Sequence, residues 1–117
     1  HRVSATRVEA MNVIGEVEGR DVLLVDDMTE TAGTLTAAAE ILHKHGAKRI
    51  YAGVSHAILG ELAHQRIRDS AIEEVITTDS VPQAAGPKVR IVGIAPLLGE
   101  AIRRIHGGHS ITSLFSV

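Results

Sequence analysis

The 117-residue sequence has no cysteine and no tryptophan, one tyrosine and one phenylalanine. Without cysteine there is no disulfide staple and no thiolate nucleophile, and a reducing cytosol is compatible with that. With so few rings the core must be built from Val, Ile, Leu and Ala, and base stacking within this chain is a poor option. Long apolar runs are also lacking. None approaches the roughly 18 residues that a membrane span needs, and His1-Arg2-Val3-Ser4 has no apolar run behind it, so no secretory signal is expected. Neither sign of charge dominates: the formal net charge is -2 and the sequence pI about 6.4. A nucleic-acid binder would show a basic stripe. There is no Gly-Lys-Ser/Thr phosphate loop, which excludes a P-loop kinase. Internal repeats and low-complexity tracts are absent.

What is present is an ordinary folded composition, 44% apolar and 22% charged, in a length that suits one domain with a modest core. Short β-branched runs alternate with helical periods, the mark of βαβ units. Residues 22–25, Val-Leu-Leu-Val, read as a buried central strand, and residues 7–17 as a strand before it. Residues 34–45 read as a helix with Leu35, Ala38, Ala39 and Leu42 on one face and Gly46 as its cap. Strands are expected at 49–54, 74–78 and 89–94, and helices at 61–69 and 96–105. The fold class is therefore α/β, an open, mostly parallel sheet flanked by helices. Ligands of such sheets bind beyond the carboxyl ends of the strands, here Asp26-Asp27, Ser55-His56 and Thr78-Asp79.

The segment richest in chemistry is Val25-Asp26-Asp27-Met28-Thr29-Glu30-Thr31-Ala32-Gly33-Thr34-Leu35. Two adjacent carboxylates repel unless a cation or hydroxyl groups bind them. Thr-Ala-Gly-Thr then opens a helix, where small residues allow close approach and the first N–H groups lack partners, an anion site. Acids at one end and amides at the other describe a sugar phosphate. The simpler alternative makes Thr31 or Thr34 an ordinary helix cap and the acids solvated turn residues.

With these residues in this order, the segment resembles the phosphoribosyl-binding loop shared by type I phosphoribosyltransferases and phosphoribosyl pyrophosphate (PRPP) synthases. The resemblance implies a type I phosphoribosyltransferase-like fold. It implies that Asp26 and Asp27 contact the ribose 2- and 3-hydroxyls, and that Thr31, Ala32, Gly33 and Thr34 cradle the sugar 5-phosphate. Glu30 stands where the family usually has Asp, a longer arm within the same loop. Four later stretches resemble blocks that the transferases lack: Gly46-Ala47-Lys48-Arg49 with Ser55-His56, Glu73-Glu74-Val75-Ile76-Thr77-Thr78-Asp79, Glu100-Ala101-Ile102-Arg103-Arg104, and Ser110-Ile111-Thr112-Ser113-Leu114-Phe115. Residues 11–20 are similar to the stretch before the loop.

The resemblance identifies residues 1–117 as a single domain, the C-terminal half of a PRPP synthase with its N-terminal half absent. It implies transfer of the β,γ-diphosphoryl group of ATP to the 1-hydroxyl of ribose 5-phosphate, with magnesium whose ligands are not assignable in this chain. Arg2 would be a catalytic arginine from a basic loop. Ser110 and Thr112 would help bind a phosphate of a regulatory nucleotide such as ADP. Dimers assembling into hexamers, a cytoplasmic setting, and no nucleic-acid or membrane partner are expected. The isolated chain is expected to bind ribose 5-phosphate weakly and to make no PRPP unaided. Three alternatives stand beside this: a PRPP-using phosphoribosyltransferase, which would need a base-binding hood; a non-catalytic PRPP-synthase-associated protein; and an isolated fragment.

Overall fold

A computed structural model describes residue 13, residues 15–83 and residues 85–115. Four strands, β1 (Asp21–Thr29), β2 (Arg49–Ala57), β3 (Ile72–Thr78) and β4 (Val89–Val92), form one sheet. They lie in the order β1-β2-β3-β4 and every neighbouring pair is parallel. Helix α1 (Gly33–Lys44) joins β1 to β2, α2 (Glu61–Asp69) joins β2 to β3, and α3 (Ala95–His106) follows β4. A short 3₁₀ turn, Thr112–Phe115, ends the described chain. The expected α/β class, an open parallel sheet with flanking helices, is the fold found. Among the described residues no helix is long and apolar enough to cross a membrane.

The core lies between one face of the sheet and helices α1 and α2. Strand residues alternate faces, so Ile50, Ala52 and Val54 of β2 point inward with Ile72 and Val75 of β3. Against them pack Leu35, Ala39 and Leu42 of α1, and Ala63 and Ile67 of α2. The i, i+3, i+4, i+7 stripe of α1 is buried as its spacing predicts. Its end is a glycine motif. Gly46 has φ +86°, and the N–H groups of Gly46 and Ala47 donate to the carbonyls of His43 and Leu42 at 3.0 and 3.1 Å.

Two expectations need correcting. β1 is an edge strand among the described residues, not a central buried one: Leu23 is 59% and Val25 78% exposed. A continuous apolar run signals burial on both faces, yet only Val22 and Leu24 pack on the core. β1 also runs on past the acids, since Met28 and Thr29 still pair with His56 and Ala57. Asp26 and Asp27 therefore sit within the strand rather than beyond it. The strand expected over 7–17 lies outside the described residues except for 13 and 15–17, which are not strand.

Candidate functional site

Parallel pairing brings the carboxyl ends of all four strands to one edge. At the β1 end, Asp26 is half-buried and Asp27 exposed. The Asp27 N–H donates to Asp26 Oδ1 at 2.8 Å, which fixes the Asp26 carboxylate against the backbone of β1. Three residues on from Asp27, Glu30 is exposed, as is Thr31. Ala32 then takes a left-handed conformation, φ 59° and ψ 14°, with its methyl group 1% exposed. Gly33 opens α1. No side chain caps this helix and its first turn holds no acid, so neither Thr31 nor Thr34 is an ordinary cap. The hydroxyl of Thr36 instead donates to the Ala32 carbonyl at 2.7 Å. An uncapped helix start with no acidic competitor favours an anion. The sequence-predicted loop residues 26, 27 and 30–34 are thus contiguous, from strand end to helix start.

One contact to this loop carries no sequence signal. Arg66, on α2, donates from Nη1 to the Thr31 carbonyl at 3.1 Å. Its neighbours Gln65 and Ile67 mark only a helix face, and the contact spans 35 residues. An open groove of about 500 Å³ between α1 and α2 is lined by Gly33, Thr36, Glu40, Leu62, Arg66 and Asp69. It touches neither Asp26 nor Asp27.

The other strand ends carry side-chain bonds of their own. His56 Nδ1 lies 2.7 Å from Ser80 Oγ. Thr78 donates its hydroxyl to the Ser55 carbonyl at 2.6 Å, and Asp79 Oδ1 accepts from the Ile94 N–H at 2.9 Å. These bonds fasten β2 to β3 and anchor the start of α3. In the tail, Ser110 and Thr112 are brought together, Oγ to Oγ1 at 2.9 Å, and the Thr112 N–H donates to Ser110 Oγ at 3.1 Å. Arg104 Nη1 donates to Ser113 Oγ, one residue further on, at 2.5 Å. Arg103 and Arg104 both bind Glu100, and their hydrogen bonds, those of Arg103 first, hold its carboxyl down at about 2. Arg2 lies outside the described residues. Among the described residues no group of three or more His, Cys, Asp or Glu is arranged to hold a metal ion.

A family model described as the phosphoribosyl synthetase-associated domain matches residues 2–116. The chain belongs to that family. It is 45% identical, over 97% of its length, to a ribose-phosphate pyrophosphokinase of Helicobacter hepaticus, and covers 37% of that protein. It is 47% identical over 97% of its length to one from Maricaulis maris, covering 38% of it. Among solved structures, phosphoribosylpyrophosphate synthetase from Mycobacterium smegmatis superposes with a TM-score of 0.77 at 34% identity, over 81% of this chain and 33% of that one. The chain thus spans little more than a third of the length of the curated relatives it matches.

Proposed function

We propose that the chain is the C-terminal, ribose 5-phosphate-binding half of a ribose-phosphate diphosphokinase, which transfers the β,γ-diphosphoryl group of ATP to the sugar 1-hydroxyl and releases AMP. The observation that carries the proposal is the unbroken run from the acid pair within β1, through the still-paired Met28 and Thr29, to the uncapped start of α1. The names of the relatives support it.

Asp26 and Asp27 accept hydrogen bonds from the ribose 2- and 3-hydroxyls. The first N–H groups of α1, with the Thr31 and Thr34 hydroxyls, receive the 5-phosphate. Glu30 stays at the rim. Held at both ends, the sugar keeps one orientation, and its 1-hydroxyl is left to attack the β-phosphorus of ATP. Fixing a nucleophile in this way removes orientational entropy from the barrier. Negative charge then builds on the departing AMP oxygen, and cationic groups must meet it. Arg2 is proposed as one of these. The described residues do not make a dedicated metal site, so magnesium is proposed only as the companion of the ATP phosphates, and no step is drawn through it.

The remaining ATP contacts belong to an N-terminal half. Residues 1–117 then form one domain of a longer, cytoplasmic enzyme that assembles from dimers into a hexamer. Ser110 and Thr112, already hydrogen-bonded to each other, would offer hydroxyls to a regulatory phosphate. The test is a full-length protein carrying this chain, given ATP, magnesium and ribose 5-phosphate. The expected result is AMP and PRPP in equal amounts. A folded full-length protein that forms neither overturns the proposal.

A further inference from the structure

We infer that Arg66 is a positioning residue that sets the backbone of the sugar-phosphate loop from helix α2. The inference deepens the proposed function and rests on reading residues 26–34 as the ribose 5-phosphate loop.

The geometry runs through the Thr31–Ala32 peptide. The described chain has no cis peptide bond, so the carbonyl and N–H of that peptide point in opposite directions. Arg66 Nη1 holds the Thr31 carbonyl at 3.1 Å, which turns the Ala32 N–H away from α2. The next residue, Ala32, sits at φ 59°, a left-handed conformation that an L side chain adopts only at a cost. Burial of its methyl group and the pinned carbonyl before it hold it there. Gly33 completes the arrangement. A Cβ at that position would lie 3.1 Å from the same Arg66 Nη1 and 3.6 Å from Thr31 Oγ1. The glycine thus leaves room for the guanidinium to lie across the start of α1. A guanidinium is charged at every physiological pH, so it also adds positive potential beside a helix start that already favours anions. Among the described residues Arg66 makes no ion pair that would spend this charge on a carboxylate.

The test compares Arg66→Met, Arg66→Lys and Asp26→Asn in a full-length protein carrying this chain, by steady-state kinetics and thermal unfolding. Arg66 is solvent-exposed, so Arg66→Met is expected to fold with an unchanged unfolding temperature. Its KM for ribose 5-phosphate is expected to rise roughly tenfold, the size of one lost charge-assisted hydrogen bond, while its KM for ATP stays put. Arg66→Lys keeps the charge and one donor and is expected to recover part of the loss. If Asp26→Asn raises the ribose 5-phosphate KM and Arg66→Met does not, the inference about Arg66 fails and the loop reading survives. If neither variant changes it, the loop reading itself fails. A rise in both KM values together with a lower unfolding temperature would make Arg66 a general packing residue of α2, and would also overturn the inference.

Discussion

Thr77 shows how a single atom departs from what the sequence pattern implies. It lies in β3 on the core face, 1% exposed, and among the described residues its hydroxyl has no hydrogen-bond partner. A buried hydroxyl without a partner costs about 1–3 kcal/mol. Valine has the same shape without the oxygen. Thr77→Val is therefore expected to raise the unfolding free energy by about 1 kcal/mol in urea titrations; a loss of stability would mean that the hydroxyl is satisfied in solution. Lys88 departs in another way. At φ 63° it occupies a conformation usually left to glycine, yet its Nζ donates to the Arg68 and Ser70 carbonyls at 3.0 and 3.1 Å. The ammonium closes the carboxyl end of α2, where a cation is favoured. Neither role is written in the local sequence, because both depend on what lies across the fold.

At the scale of elements, local signals served well where one face alone was in question. The bounds of α2 coincide with the expected 61–69, and α1 and α3 differ from expectation only at their ends. β1 was harder. Leu23 and Val25 are apolar on an outward face, so period two is hidden and the strand reads as buried on both sides. α3 carries its own electrostatic device. Glu100 accepts from Arg103 at 2.6 and 2.9 Å and from Arg104 at 2.8 Å. Its carboxyl lies at about 2 instead of 4.5. A lowered folded-state value means that the contribution to stability is complete above 4.5 and is lost as pH falls through about 2. Amide exchange in α3 is therefore expected to quicken as pH falls through that window, after correction for intrinsic rates. Glu100→Gln should remove this part of the pH dependence; a variant with the parent's profile would contradict the assignment.

For the whole molecule, the topology does most to explain the site. Four parallel strands bring Asp26, Asp27, His56 and Asp79 to one edge, and β1 leads from an acid pair to a helix start that has neither a side-chain cap nor an acid in its first turn. That much of the site was legible, since acids, small residues and hydroxyls fall in one run of sequence. Arg66 was not, because its contact with Thr31 exists only once α2 has packed beside α1. The outer sheet face keeps Leu23, Val25 and Val92 exposed, and α3 keeps Leu98, Ile102 and Ile105 exposed at helical spacing. Parallel sheets usually bury both faces, which agrees with a proposed function that needs more polypeptide than these residues. The loop that joins β1 to α1 is the proposed ribose 5-phosphate site. Calorimetric titration of ribose 5-phosphate with magnesium, into a full-length protein carrying this chain and into its Asp26→Ala/Asp27→Ala variant, tests that most directly. Saturable binding by the parent and none by the folded variant is the result predicted; equal binding by both would contradict it.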